Sequence, residues 1–523
     1  MSCLTCSNQC GFVNSPSPEP QSDTLKATQG SDSLVSQILR GSRPLLGSDH
    51  APINDEIAKL EWLGSWHSVQ LHAVLKSLEN RKSLFAPVRR LPRDILLEIF
   101  HSVSDSWWQN DHRAEEDDRT YDRLDSTHDS LDMTGPLWVL DSVCGLWRDI
   151  LYTSPASWAR CVLVKSPFSK HARDILQAYL EHTGEHPLSL VALCDSRNLA
   201  EDGEIMSLLV QSCHRWRNVC IRIDIHHTHH LRSISHFPVL QTIEMYICDD
   251  YGYPSDMSLD MCLKASQLWQ ATLPNQGIHR VRLPSGITHY SGCITCAEDL
   301  QLLSQLSKLR TCHLRSRETS PTDAVPVVMA ELRQLYVEDS DALDLLTAPM
   351  LQSLTIVEVS EGSLSSSSIA PFLRRSGCRL ESLGMSAQGL AALISKIFSS
   401  EACSTISHLK LELGPNCNDI SKILTPSSIL PNLRHLVLCF ACGSLLYKTK
   451  RLDLLNMIRS RCKAGVLKMT ETSFERSISP TYIMEADIRA VIGDNVEMRV
   501  EEWSPLDLDY RYSFSGSELP QFW

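Results

Sequence analysis

Three Cys-x-x-Cys pairs are the residues of this chain whose type and spacing best suit chemistry: Cys3/Cys6 with Cys10 following, Cys293/Cys296, and Cys439/Cys442. A structural zinc centre needs four ligands converging from two such pairs, and the separations between these pairs match no zinc finger. The tract His226-His227-Thr228-His229-His230 is the other metal candidate. A short His run that closes a strand reads as a solvated turn. Acyl, phosphoryl or hydride transfer would require a Gly-x-Ser-x-Gly elbow, a Gly-x-x-x-x-Gly-Lys-Ser/Thr loop, a dinucleotide fingerprint or the kinase signature set, and none occurs. The sequence therefore predicts no metal site, no cofactor and no catalytic residue, and the chain reads as not an enzyme.

Composition narrows the class further. At 523 residues the chain is long enough for two or three domains, and 43% hydrophobic content is ordinary for a globular protein. A net charge of -13 argues against general affinity for nucleic acid or anionic membranes, both of which reward clustered Lys and Arg. No run approaches the ~20 consecutive apolar residues of a membrane span, and no basic segment followed by an apolar run opens the chain. The expectation is a soluble protein of the cytoplasm or nucleus. Nineteen cysteines, among them Cys161, Cys220, Cys312 and Cys439 in apparent strands, read as small buried hydrophobes and not as a disulfide framework.

The elements follow from periodicity. Residues 1–50, rich in Ser, Pro, Gln, Asp and Gly, read as a disordered tail. Ile53, Ile57, Leu60, Leu63, Leu71, Val74, Leu75 and Leu78 then recur at helical spacing, predicting an amphipathic lead-in helix over 51–86, read as packed. Leu91-Pro92-Arg93-Asp94-Ile95-Leu96-Leu97-Glu98-Ile99-Phe100 places Pro92 in a helix's first turn and Ile95, Leu96, Ile99 and Phe100 on one face. A second helical signature spans Leu137 to Ile150, with Leu140, Val143, Cys144, Trp147 and Ile150 in phase. Ser154-Pro155 ends it and Trp158 follows. Between the two lies an acidic insert, 104–132, that reads as a disordered loop.

Beyond Trp158 an apolar pattern at i, i+3 and i+5 repeats. Its instances run from Trp158/Cys161/Leu163 through Trp216/Val219/Ile221, Leu240/Ile243/Met245 and Ile278/Val281/Leu283 to Leu433/Leu436/Leu438. The later ones start at 309, 332, 351, 380, 406 and 433, in steps of 23, 19, 29, 26 and 27, within or near the range of a leucine-rich repeat. No such unit can bury its apolar face alone, so stacking is required. Pro238, Pro349 and Pro431, each two residues before the opening Leu, should set an extended approach to the strand. Asp174 to Leu190 reads as a helix, a Gly184 stop and a strand, and Phe372 to Gly377 repeats the helix-then-Gly step. Helices at Leu300–Leu306 and Leu390–Phe398 should line the convex side.

Taken together, the Leu-Pro-x-x-Ile-Leu-x-x-Ile-Phe run, the Val-Cys-x-x-Trp run and the Pro-x-x-Trp closure resemble an F-box, and the chain is similar to fungal F-box proteins that carry leucine-rich repeats. The resemblance rests on two short blocks and the repeat rhythm. It implies an α/β architecture: a three-helix F-box over 87–160, a degenerate leucine-rich-repeat solenoid with a parallel concave sheet over 161–500, and a tail over 501–523. It further implies a substrate-recognition subunit of an SCF-type ubiquitin ligase, binding a Skp-family adaptor, through it a cullin, and a protein substrate on the repeats. The residues implied for the adaptor are Leu91, Pro92, Ile95, Leu96, Ile99 and Phe100, with Val143, Cys144 and Trp147. Some of these must form the F-box's own core, and the sequence does not divide the two sets. Gly145 stands where the family usually has Arg and would weaken a helix interior by about 1 kcal/mol. With the insert, it favours the alternative of an interaction scaffold with a degenerate F-box.

Overall fold

The computed structural model describes residues 35–39, 42–83, 85–111, 129–194, 199–248, 258–316, 325–358, 369–386, 395, 397–398, 400–413, 420–440, 443–465, 467–475 and 497–503. The chain divides into two units, Met1–Pro92 and Arg93–Trp523. The tail expected over 1–50 falls largely outside the described residues.

The first unit is dominated by one helix, α1 (His50–Ser83). Its predicted apolar stripe forms, but Ile57, Leu60, Leu71, Val74, Leu75 and Leu78 are all exposed. The packed lead-in expected from the pattern is therefore corrected: helical periodicity creates a stripe without guaranteeing a partner for it.

The second unit opens with α2 (Arg93–Asp111), α3 (Pro136–Val143), α4 (Gly145–Tyr152) and α5 (Pro155–Ala159). The single helix expected over Leu137–Ile150 is broken at Cys144, whose backbone is extended at φ -166 and ψ 164. The insert is shorter than 104–132 at both ends. α2 continues through Ser104 to Asp111, and beyond 112–128, outside the described residues, Ser130 pairs with a strand. Its N–H donates to Leu163 O at 2.8 Å and its Oγ accepts from Leu163 N–H at 2.9 Å.

Strands then alternate with crossovers. They are β1 (Val162–Lys165), β2 (Leu188–Cys194), β3 (Trp216–Asp224), β4 (Thr242–Cys248), β5 (Gln270–Leu273), β6 (His289–Ile294), β7 (Thr311–Ser316), β8 (Val327–Val328), β9 (Gln334–Asp339), β10 (Leu346–Thr347), β11 (Ser353–Glu358), β12 (Ser382–Ser386), β13 (His408–Leu413), β14 (His435–Phe440), β15 (Met469–Glu475) and β16 (Glu497–Trp503). All but β8 and β10, which pair with each other, form one 14-stranded sheet in sequential order. Every neighbouring pair is parallel. β16 carries regular structure to Trp503, three residues past the expected end of the repeats.

Two apolar columns run across one face. One is Leu335, Leu354, Leu383, Leu409 and Leu436; the other is Val337, Ile356, Met385, Leu411 and Leu438, in register from β9 to β14. All are buried, and each full burial contributes roughly 1.5–3 kcal/mol. The backbone repeats as faithfully. Gln352 O accepts from Glu381 N–H and Ser382 N–H, Glu381 O from Ser407 N–H and His408 N–H, and Ser407 O from Arg434 N–H and His435 N–H, at 2.8–3.0 Å. Each strand is thus docked on the carbonyl that precedes its neighbour.

Three expectations about the repeats are corrected. Ile278, Val281 and Leu283 are buried but belong to no strand, Val281 making an isolated bridge to Leu259. The sheet positions there belong to β5 and β6, whose Ala271, Tyr290 and Gly292 lack the leucine signal. In β1, Val162 and Val164 take the inward column beside Leu190 and Ala192, so Leu163 faces the other way. A one-residue slip exchanges the faces of a strand, and Leu163 packs there with Val191, Leu193 and Cys220. Pro349 and Pro431 sit inside turns closed by Leu351 N–H to Ala348 O and Leu433 N–H to Leu430 O, at 3.3 and 3.1 Å. Their fixed φ suits the second position of a β-turn. The helix-then-Gly steps form as expected: α6 (Ala172–His182) precedes Gly184 at φ +54, and α7 (Ile369–Ser376) precedes Gly377 at φ +61. A helix ends at Ser304 near the expected Leu300–Leu306. The helix expected over Leu390–Phe398 lies mostly outside the described residues.

Arginines clamp the crossovers, which no sequence pattern signalled. Arg461 is buried and donates from Nε to Leu424 O at 2.6 Å, from Nη1 to Leu430 O at 3.2 Å and from Nη2 to Ile429 O at 2.6 Å. Burial pulls its guanidinium below the ordinary value. Arg461→Met, which retains bulk but orphans three carbonyls, should cost about 3 kcal/mol. The expected readout is a lower urea midpoint at unchanged m-value.

Candidate functional site

The helices α2, α3 and α4 pack on one another and divide the sequence-derived residues into two sets. Leu96 and Phe100, four apart on α2, point inward and are 1% and 0% exposed. Phe100 meets Trp147 at 5.0 Å between ring centroids. These two cannot contact a partner, and their place in the adaptor set is corrected to that of core. Cys144 and Trp147 are half-buried.

Beside this buried pair on α2 stand Ile95, Ile99 and Val103 at i, i+4 and i+8, exposed by 44%, 39% and 37%. α3 presents Val139 and Val143 in the same spacing, and Leu146 opens α4; all three are exposed. Val103, Val139 and Leu146 were absent from the sequence-derived set, although the four-residue step from Ile99 and from Val143 points to the first two. Leu91 and Pro92, in the first unit, are exposed. Exposed aliphatic side chains gathered on three packed helices are of the kind that marks protein contacts.

Local chemistry explains why this layer holds. Arg93 binds the Thr153 hydroxyl and the Ile150 carbonyl, tying the start of α2 to the end of α4. His101 Nε2 lies 2.9 Å from Ser157 Oγ, and Arg148 pairs with Asp141 at 3.5 Å. Gly145 is the first residue of α4, where a glycine interrupts no intrahelical turn, and a Cβ there would meet nothing within 4 Å. The expected weakening of a helix interior is therefore corrected.

An aromatic knot joins this layer to the sheet. Trp158 is fully buried, with Trp138, Tyr179 and His182 at 5.2, 5.1 and 4.8 Å between ring centroids. Trp138 Nε1 donates to Ser130 O at 2.9 Å. Burial lowers the His182 pKa, against the raising effect of Asp141 and Glu181.

On the sheet, the column alternating with the apolar ones runs Glu244, Thr272, Ser291, His313, Tyr336 and Thr355 from β4 to β11. Ser291, His313, Tyr336 and Thr355 are buried. His313 Nδ1 lies 3.2 Å from Ser291 Oγ and its ring meets Tyr336 at 4.0 Å. Burial pushes the His313 pKa down to about 3. A flanking column, Asn218, Thr242, Gln270, His289, Thr311, Gln334, Ser353 and Ser382, is polar and, apart from buried Thr311, half-exposed. The central column is half-exposed again at Lys410 and Val437 on β13 and β14.

The metal candidates separate. The His tract forms a short helical turn, Ile225–His227, and a short helix, Thr228–Arg232, with His227 buried, so the solvated turn is corrected. Cys293 Sγ faces Pro274 O at 3.2 Å, away from Cys296. Cys3, Cys6, Cys10 and Cys442 lie outside the described residues. No family model matches the chain, and no curated protein matches it. No helix among the described residues is long and apolar enough to cross a membrane.

Proposed function

We propose that the protein is the substrate-recognition subunit of an SCF-type ubiquitin ligase. The helical layer α2–α4 binds a Skp-family adaptor and through it a cullin, and the repeat sheet offers a protein substrate its half-exposed polar flank. The observation that carries this reading is the set of exposed Ile95, Ile99 and Val103 on α2 with Val139, Val143 and Leu146 on α3 and α4, helices whose Leu96, Phe100, Leu140, Ile150 and Leu151 are buried. An amphipathic helical surface of this kind docks against a helical partner through aliphatic anchors. The chain contributes no bond chemistry; it positions the substrate, in the cytoplasm or nucleus where such ligases work.

The test is capture of the full-length protein on a purified Skp-family adaptor, comparing wild type with Leu91→Ala/Pro92→Ala, with folding checked by circular dichroism. Binding by wild type and loss in the folded variant support the reading. A folded wild type that fails to bind overturns it. Adaptor binding without recovery of a cullin identifies an interaction scaffold instead.

A further inference from the structure

Away from the helical layer, His279, Cys296 and Asp299 place one ligand atom each within 4.8 Å of one another. Two elements bring them together. His279 lies in the loop after β5, pinned by Asn275 Nδ2 to Ile247 O at 2.7 Å and Gln276 Nε2 to Met245 O at 3.0 Å. Cys296 and Asp299 open the helix Ala297–Ser304. Gly277 makes the approach possible, since a Cβ there would stand 2.2 Å from Asp299 Oδ2.

Asp299 is fully buried and rigidly held. It accepts from the backbone N–H groups of His279, Thr295 and Cys296 at 2.9, 2.8 and 3.2 Å and from Thr295 Oγ1 at 2.8 Å. His279 lowers the carboxyl pKa to about 2, against the opposing effect of burial. The carboxylate is therefore ionised at any physiological pH. The remaining separations are His279 Nδ1 to Asp299 Oδ1 at 2.8 Å, Cys296 Sγ to His279 Nδ1 at 3.6 Å and Cys296 Sγ to Asp299 Oδ2 at 3.6 Å. Tetrahedral zinc, with Zn–S about 2.3 Å and Zn–N or Zn–O about 2.0 Å, requires S···N and S···O edges of about 3.5 Å and an N···O edge of about 3.3 Å. The S···N edge and the edge from sulfur to Oδ2 already match, and His279 Nδ1 lies against the other carboxylate oxygen, Oδ1, so both oxygens border the site and the Nδ1–Oδ1 edge needs a half-ångström opening.

We infer that His279 Nδ1, Cys296 Sγ and Asp299 form a zinc site that ties the loop after β5 to the helix following β6. Thiolate, imidazole and carboxylate together suit zinc better than magnesium or calcium. Cys296 and His279 are partly exposed, so solvent supplies the fourth ligand. On binding, the Cys296 thiol releases its proton to water. The Nδ1 hydrogen that His279 shares with Asp299 passes to water while Nε2 takes one up from water, so the ring binds as its neutral Nε2–H tautomer with no net change in its proton count. Burial raises the Cys296 thiol pKa, so acid competes with the metal.

The probe is Co2+, added to the full-length protein carrying Cys3→Ser, Cys6→Ser and Cys10→Ser, which removes the N-terminal Cys-x-x-Cys pair and the cysteine after it. The expected result is a thiolate-to-cobalt charge-transfer band with intense tetrahedral visible bands at one equivalent, displaced by Zn2+. Cys296→Ser should abolish the charge-transfer band and His279→Ala should weaken binding at least tenfold, whereas Cys293→Ser should change neither. Absence of the band in the folded protein, or its survival in Cys296→Ser, overturns the inference and leaves an ordinary helix cap. The adaptor experiment is unaffected by either outcome.

Discussion

Ile95→Asp combined with Ile99→Asp is expected to weaken binding of the Skp-family adaptor by roughly 100- to 1,000-fold while leaving the protein folded. The two side chains stand one turn apart on α2, exposed by 44% and 39%, so their replacement disturbs no core contact. Exposed substitutions of this kind usually change stability by no more than about 0.5 kcal/mol. At an interface they act differently. Losing one buried anchor costs about 2 kcal/mol or more, and a charge placed against an apolar partner adds desolvation. Two such losses amount to about 4 kcal/mol, or close to a thousandfold in Kd. Phe100→Ala is the informative contrast. It should also abolish binding, but by emptying the core beneath the stripe at a cost of about 3–5 kcal/mol in stability. Calorimetric affinity alongside a thermal unfolding midpoint separates the two. Unchanged affinity in the Ile95/Ile99 variant would place the adaptor elsewhere and remove the main support for the proposed function.

What the sequence made legible depended on which side chains filled the inward columns. From β9 to β14 those positions are Leu, Ile, Val or Met, and the i, i+3, i+5 rhythm located every strand of the large sheet there but said nothing of its neighbours' register. At β5 and β6 the same columns hold Ala271, Leu273, Tyr290 and Gly292, so the rhythm weakened although the backbone repeat continued. At β1 two adjacent apolar runs were available, and only pairing with β2 decided between Val162/Val164 and Cys161/Leu163. In the helical layer the apolar positions of α2 were readable, but Ile95 and Leu96 look alike in a sequence. Packing against Trp147 put one pair inside and left the other in water. The Cys-x-x-Cys spacing was misleading for a similar reason. Cys296 finds its neighbours in His279, 17 residues earlier, and Asp299, while Cys293 turns away. Chain proximity carried no information about that convergence, because the crossover geometry sets it.

Trp158→Ala is expected to destabilise the second unit by about 3–5 kcal/mol, the range for removing a large buried aromatic. Trp158 is where the helical layer and the sheet share a core. Its indole lies between Trp138 of α3 and Tyr179 and His182 of α6, while Tyr152 of α4 stacks on His182 at 4.6 Å. Removing it leaves a cavity bounded on both sides and loosens the grip of the helices on β1. The indole Nε1–H, however, is buried without a hydrogen-bond partner. Such an orphaned donor costs about 1–3 kcal/mol. Trp158→Phe therefore exchanges lost ring volume for relief of that penalty, and should cost less than half as much as Trp158→Ala. Urea unfolding of the three proteins decides the matter: an alanine variant within 1 kcal/mol of wild type would show that the knot does not couple the layers. A phenylalanine variant as unstable as alanine would show that ring volume alone governs the site. If the knot does couple them, adaptor affinity should fall in Trp158→Ala even though no adaptor-facing side chain has changed, because α3 and α4 hold Val139, Val143 and Leu146 in place only while their inner faces are packed.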